Sequence, residues 1–206
     1  MNAYLRRLIV VAMPLSIGCG LTITVPRDEL LKESHGSPLQ RIHQLSFIVN
    51  RFEDARDLAR DSHWIGQCGN YTMRVDAPAA DVVTQSIANA LERNGHRVLK
   101  SDRTVDADVV VDGIVRLFSI SRRQSTWGTM AYTAWASGEI SVSGAAGERL
   151  LSRRCRGTDS AAGFLMPCSE GTELLRRALS SMVEDCTADP EFLDALRELK
   201  RRRVTQ

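Results

Sequence analysis

The strongest structural pattern in this 206-residue chain is a pair of consecutive segments with the composition of adjacent β-strands. Residues 109–120 form a long run of β-branched and aromatic side chains, which is typical of a central strand. In residues 130–143, apolar side chains alternate with serine, threonine and glutamate. Because successive side chains of a strand point to opposite faces, this alternation predicts a sheet with one face buried and the other open to solvent.

Turn signals and helical periodicity extend this prediction along the chain. The segment 144–147 contains two glycines and predicts a turn, after which residues 148–157 return as an antiparallel strand. Apolar residues at helical spacing predict one helix after Asp76, which ends at Asn94-Gly95, and a second over residues 169–186.

The remaining segments give weaker signals. Shorter strands are predicted at residues 45–49 and 96–100, with a long loop over 51–70 between them. Asp189 and Pro190 predict the start of a short C-terminal helix. The expected fold is therefore α+β, with a mixed, mainly antiparallel sheet of about four to five strands and two main helices packed on one face.

The first 18 residues have the layout of a secretory signal peptide. Arg6 and Arg7 precede eleven mostly apolar residues, and no acidic residue occurs before Asp28. The apolar run is too short for a transmembrane helix, which needs about 20 residues. We therefore expect residues 1–18 to be removed.

The end of this leader resembles a bacterial lipobox, since residues 15–19 read Leu-Ser-Ile-Gly-Cys. The resemblance implies that Cys19 receives a diacylglycerol, that cleavage occurs before it, and that its new amine is acylated, for example with palmitate. Gly20 rather than aspartate after the cysteine favours the outer membrane of a Gram-negative bacterium, with the protein facing the periplasm. The alternatives are a plain signal peptide or a buried N-terminal helix in which Cys19 is incidental.

Composition predicts one globular domain. The chain is 43% hydrophobic and 25% charged, which excludes a disordered protein. We expect a lipidated N terminus and flexible tether at residues 19–40, one domain at 41–200, and a basic tail at 201–206. Without Arg6 and Arg7, 25 basic residues balance 25 acidic ones, which argues against a nucleic-acid-binding protein. The basic tail is either solvated or in contact with anionic lipid headgroups or the acidic surface of another protein.

The five cysteines fit an oxidising compartment. With Cys19 lipidated, an even number remains, which indicates two disulfide bonds, whereas a cytosolic protein would keep free thiols. The predicted helix separates Cys168 from Cys186 by about 27 Å, too far for a bond. If the helix packs back along a strand that runs toward Cys155, then Cys155 pairs with Cys168 and Cys68 with Cys186. Their spacing matches no zinc-ligand pattern, so no metal is expected.

Several segments in sequence order resemble the YajG family of bacterial lipoproteins. They are Asp54-Ala55-Arg56, Ile65-Gly66, the helix at 82–91, Gly95-His96-Arg97-Val98, the strand at 107–111, and Met182-Val183-Glu184-Asp185 followed by Phe192. The resemblance implies a small α+β module in the periplasm with two helices against an antiparallel sheet. It implies neither an enzymatic activity nor a cofactor.

Candidate contact residues lie around the predicted hairpin. Trp135 belongs to the polar set of its strand, and Trp127 lies just before it, near Arg122 and Arg123. Exposed aromatic and arginine side chains are enriched at binding hot spots, so these four are candidates for partner contact. Alternatively, a helix covers that face, or a bulge shifts the alternation.

Other polar residues give no catalytic pattern. Asp54 and Arg56 point to the same side of a strand end, where they form either a ligand contact or a local ion pair that fixes the loop. The four histidines are scattered, and the sequence contains neither a glycine-rich phosphate loop nor a G-x-S-x-G motif.

We therefore expect a non-enzymatic, membrane-anchored periplasmic lipoprotein whose α+β domain binds another component of the cell envelope, with a homo-oligomer as one arrangement. The alternative is an accessory lipoprotein subunit of an envelope transport or secretion complex, which would carry an exposed apolar patch well above about 600 Å². A third hypothesis, a periplasmic hydrolase, requires a cleft with a paired nucleophile and base.

Overall fold

The computed structural model of the chain describes residues 21–31, 39, 42, 44–57, 61–68, 71–99, 107–124, 129–163 and 167–204, without the side chains of residues 124 and 202–204. The predicted signal peptide, Cys19 and Trp127 lie outside these ranges. Among the described helices, none has the length and apolar character needed to cross a bilayer.

The described residues form nine strands and four helices. In chain order these are β1 (Thr22–Val25), α1 (Arg27–Leu30), β2 (Ser46–Val49), β3 (Glu53–Asp54), β4 (Trp64–Cys68), β5 (Tyr71–Val75), α2 (Ala79–Arg93), β6 (Arg97–Leu99), β7 (Val109–Gln124), β8 (Met130–Gly144), β9 (Arg149–Gly163), α3 (Cys168–Thr187) and α4 (Pro190–Val204).

Three long strands form the framework of a single mixed sheet. β8 pairs antiparallel with β7 on one side and with β9 on the other. The opposite edge of β7 is occupied in turn by β2, β3 and β4, all parallel to it. β6 extends the sheet from β2, while β5 and then β1 extend it from β4. The predicted hairpin of β8 and β9 and the central position of β7 are confirmed.

The number of strands was underestimated. The sheet has nine strands rather than four to five: β3 and β4 lie in the predicted loop, β5 follows it in a segment for which no element was predicted, and β1 lies in the predicted tether. These additional strands have two to five residues. In a segment so short the period of a strand repeats at most twice, so that only β2 and β6 of the six short strands were predicted. The pairing of the others depends on an edge that a distant strand supplies.

Residues 21–31, which were expected to belong to a flexible tether, are part of the fold. β1 pairs in parallel with β5, and Val25 and Leu30 are each only 2% exposed. The expected basic tail also begins inside a helix, since α4 continues to Val204. Both boundaries were misjudged because isolated apolar residues in a polar segment give little signal, although each finds a place in a core that is already formed.

The helices lie on one face of the long strands, as predicted. The apolar stripe of α3 is buried at Leu174, Leu175, Ala178, Leu179 and Met182. It runs back along β9 at close range, since a side chain at Gly157 would overlap the carbonyl oxygen of Ala178. α2 ends where Asn94-Gly95 was predicted to stop it, with Gly95 at φ +86°.

Two disulfide bonds join all four described cysteines, but the predicted pairing is wrong. The bonds are Cys68–Cys168 and Cys155–Cys186. The expectation placed the end of the strand near Cys155, whereas β9 continues to Gly163, about 26 Å further. Travelling back along α3 from Cys168 to Cys186 covers about 27 Å. Cys186 therefore returns to the level of Cys155, while Cys168 stays near the end of β4. The exclusion of a Cys168–Cys186 bond is confirmed.

Candidate functional site

The face of β7–β9 opposite α3 carries no described helix. Along β8, the side chains at even positions from Tyr132 to Val142 are buried, and those at odd positions are partly exposed. The open set includes Trp135, Ser137 and Glu139, with Arg154, Arg156 and Thr158 beside them on β9. Below we call this the open face.

A groove crosses the open face at Leu117, whose side chain is 40% exposed. Two adjoining cavities share this residue. One, of about 230 Å³, extends toward Trp64, Asp57 and Asp61. The other, of about 480 Å³, extends toward Trp135 and Arg156. The result is a groove with an exposed aliphatic side chain at its centre and an indole at each end.

A β-bulge in β7 creates this arrangement. The register between β7 and β8 shifts between Val115 and Leu117, so that Arg116 is the extra residue. Before the bulge the buried residues of β7 are at odd positions, such as Val111 and Val115; after it they are at even positions, such as Phe118. This change of parity is visible in the sequence, and it is the signal by which the exposed Leu117 could have been found.

Charged residues beside the groove form a cross-strand ladder. Glu139 on β8 accepts hydrogen bonds from Arg116 on β7 (3.4 Å) and from Arg154 on β9 (2.9 Å). These hydrogen bonds hold the pKa of Glu139 below its usual range. Arg156 is exposed, and its guanidinium forms no ion pair with any residue in the described ranges. The β9 side of the groove therefore carries the positive charge of Arg156, whereas Asp57 and Asp61 line the opposite end.

The Asp54–Arg56 pair forms the floor of the smaller cavity. Arg56 binds Asp54 through Nε and Nη2, at 2.8 Å each. It also donates to the carbonyl oxygens of Ser62 (2.6 Å), Trp64 (2.9 Å) and Phe118 (3.2 Å). Its five N–H groups are therefore all engaged within the protein. The hydrogen bonds from Arg56 lower the pKa of Asp54.

This arrangement supports a structural role for Asp54 and Arg56. A guanidinium with no free donor has none left for a ligand, and it fastens the segment before β4 to the middle of β7. Of the two readings that the sequence left open, the geometry favours the local ion pair.

The predicted contact residues do not all lie together. Trp135 is on the open face, as the alternation predicted, and Arg123 belongs to the same set of β7 because it pairs with Ala131. Arg122 pairs with the buried Tyr132 and so belongs to the opposite face. Sequence analysis did not identify Trp64 and Leu117 as contact residues, because the groove joins β4 to strands that are more than 50 residues away in the chain.

The histidines and cysteines offer no catalytic pair within the described part of the chain. Nδ1 of His63 lies 2.9 Å from the carbonyl oxygen of Val75. His96 is 5% exposed, and its Nδ1 accepts a hydrogen bond from the N–H of Leu45. The four cysteines are in disulfide bonds. Across the described ranges, the structure brings together no group of three histidine, cysteine, aspartate or glutamate residues suited to a metal ion. The groove offers apolar and aromatic contact at its centre, with the positive charge of Arg156 at one end and the carboxylates of Asp57 and Asp61 at the other.

Comparisons with known proteins show the fold. No family model and no curated protein matches the sequence. A DUF330 protein from Xanthomonas campestris is 13% identical and superposes with a TM-score of 0.59 over 89% of this chain and 100% of its own. A lipoprotein from Neisseria meningitidis is 11% identical, with a TM-score of 0.37 over 64% of this chain and 92% of its own. A PelC dodecamer from Paraburkholderia phytofirmans is 15% identical, with a TM-score of 0.36 over 73% of this chain and 93% of its own. What this chain shares with the Xanthomonas protein is its architecture, and the resemblance to the YajG family stays a prediction.

Proposed function

We propose that this protein is a non-enzymatic lipoprotein of the bacterial envelope that is anchored through Cys19 and binds another envelope component in the groove on the open face. The observation that carries the proposal is the groove itself. Leu117 is exposed between Trp64 and Trp135, and beside it lies Arg156, whose guanidinium forms no ion pair with the residues that the structure describes. Aromatic and arginine side chains around an apolar centre are the usual composition of a binding hot spot.

Two features support the envelope as the location. The N-terminal 19 residues have the order of a lipoprotein leader, with Gly20 favouring the outer membrane. The two disulfide bonds fit an oxidising compartment such as the periplasm. An accessory role in a transport or secretion complex is a narrower form of the same proposal, in which the component bound in the groove is a channel or transporter subunit.

The anchor is tested by mass analysis of the protein isolated from membranes. The expected product begins at Cys19 and carries a diacylglycerol and an amide-linked acyl chain. Cys19→Ala should release the protein from the membrane fraction, because two or three acyl chains supply the attachment. An intact leader, or a free thiol at Cys19, would refute the proposal.

The groove is tested by photocrosslinking in cells. A photoreactive amino acid at Ser137, beside Leu117, should give a crosslinked protein adduct, and Leu117→Asp in the same chain should abolish it. Ser143 on the same face of β8, away from the groove, is the matched control position and should give no such adduct. Equal adducts at residues 137 and 143, or an adduct unaffected by Leu117→Asp, would show that the groove is not the contact site.

A further inference from the structure

One end of the sheet carries a concentration of exposed apolar side chains. Three large hydrophobic residues are exposed in the described part of the chain: Leu21 (61%), Leu117 (40%) and Tyr71 (39%). Leu21 and Tyr71 are neighbours, because the carbonyl oxygen of Leu21 accepts the N–H of Thr72 at 2.9 Å. Both lie where β1 and β5 begin.

The same end also contains the termini of the long strands. Tyr71 pairs with Cys68 at the end of β4, and β4 runs parallel to β7 with Gly66 opposite Ile120. Leu21 and Tyr71 therefore lie at the level of Arg122 and Arg123, near the end of β7. We call the surface formed by Leu21, Tyr71 and Arg123 the leading end.

The position of Leu21 determines how far the domain can stand from the bilayer. Its backbone is held by the hydrogen bond to Thr72. After cleavage before Cys19, only Cys19 and Gly20 would therefore precede the fixed part of the chain. Two residues reach at most about 7 Å. A lipid on Cys19 would therefore hold the leading end at the headgroups, and the flexible spacer expected from the sequence would not exist.

We propose that the leading end is a membrane-contact surface, which rests against the bilayer that holds the acyl chains of Cys19. This inference rests on the proposed lipidation. Leu21 and Tyr71 supply the apolar and amphipathic side chains that enter the interfacial region. Arg123 is exposed and has no ion-pair partner in the described ranges, so that it is available to anionic headgroups. The acidic residue nearest the start of α3, Glu170, is paired with Arg177.

The arrangement also fixes the orientation of the molecule. The turn between β8 and β9, with Ala146 exposed, lies at the other end of the long strands, about 40 Å from Tyr71 along the strand direction. The strands would then stand away from the membrane, with the groove at Leu117 between the two ends. A partner in the groove would be met at a fixed height above the bilayer.

Photocrosslinking to lipid tests this orientation with the full-length lipidated protein. The protein is reconstituted into vesicles of phosphatidylethanolamine and phosphatidylglycerol, with p-benzoylphenylalanine in place of Tyr71, Leu117 or Ala146 in separate preparations. Mass analysis of each preparation measures both acylation of Cys19 and lipid adducts. The substitution at Leu117 is the matched control, since its exposure equals that of Tyr71.

With Cys19 acylated, we expect at least about fivefold more lipid adduct at residue 71 than at 117 or 146, because along the strands Leu117 lies about 17 Å and Ala146 about 40 Å from the level of Tyr71. Equal labelling at the three positions, or no labelling at residue 71, would overturn the orientation while leaving the anchor intact. A protein whose Cys19 carries no lipid would overturn both the orientation and the proposed function.

Discussion

The two faces of the long strands share one backbone and differ in what covers them. On β8, Ala134, Ala136, Ile140 and Val142 are buried on the face that carries the helices, while Trp135 and Glu139 from the same strand face outward. The covered face holds apolar side chains in close contact with the helix and a disulfide bond at Cys155. The open face holds hydroxyl groups, a charge ladder and the groove. Stability and contact with other molecules are therefore separated by the period-two alternation of a strand, and each can be changed without the other.

The largest difference in stability between the two faces is expected when one leucine on each face is replaced by alanine. Leu175 of α3 is fully buried, so Leu175→Ala should lower the free energy of unfolding by about 3 kcal/mol through lost burial and a residual cavity. Leu117→Ala on the open face should change it by less than about 0.5 kcal/mol. Urea denaturation of both variants measures the contrast. Similar losses for the two would mean that the open face is covered in the folded protein.

The next largest effect on stability is expected at Gly157, where the backbones of α3 and β9 are in close contact on the covered face. At Gly157, a methyl group would overlap the carbonyl oxygen of Ala178, so Gly157→Ala should separate α3 from β9 and cost about 2 kcal/mol. Thr158→Ala, one residue along and on the open face, is the control and should cost less than about 1 kcal/mol. Thermal unfolding of the two variants compares them, and a neutral Gly157→Ala would show that α3 is not held against β9 in this way.

A pH-dependent loss of stability is expected from the buried His96. Burial lowers the pKa of His96 below its ordinary value of 6.5, and its Nδ1 must be unprotonated to accept the N–H of Leu45. Below pH 6.5 the unfolded chain therefore binds the proton more readily than the folded one, so that stability present above that pH is progressively lost as the pH falls.

Urea unfolding between pH 7.5 and pH 5.5, above the range in which carboxylates titrate, measures the pH dependence, and comparison with a His96 variant isolates the contribution of His96. His96→Gln should flatten the pH profile in that window. A wild-type profile already flat there would contradict the expected titration.

The smallest effect is expected at the charge ladder of the open face. Removing its central charge with Glu139→Gln leaves Arg116 and Arg154 without a partner, but water and salt screen exposed charges. The melting temperature should fall slightly in low salt and match that of the wild-type protein in high salt. A loss that persists in high salt would show that the ladder is shielded from solvent, in conflict with an open face.

Prediction from sequence succeeded where a pattern was long. The strands β7 and β8, the helices α2 and α3, and the outward position of Trp135 were all expected, because runs of ten or more residues repeat their period several times. The short strands β1, β3, β4 and β5 were missed for the opposite reason. The groove was missed because it is formed by Trp64, Leu117 and Trp135 together, and no local pattern reports the contact of β4 with β7.

The sequence alone determined which side of β8 is apolar, where α2 and α3 end, and that the four cysteines after Cys19 form two disulfide bonds. These properties depend on side-chain chemistry and local spacing. Only the tertiary structure decided which cysteines pair, that β1 belongs to the sheet, and where Leu117 becomes exposed. Each of these depends on the lengths of β9 and α3 or on a bulge in β7, since a few residues more or less move an atom by many ångströms.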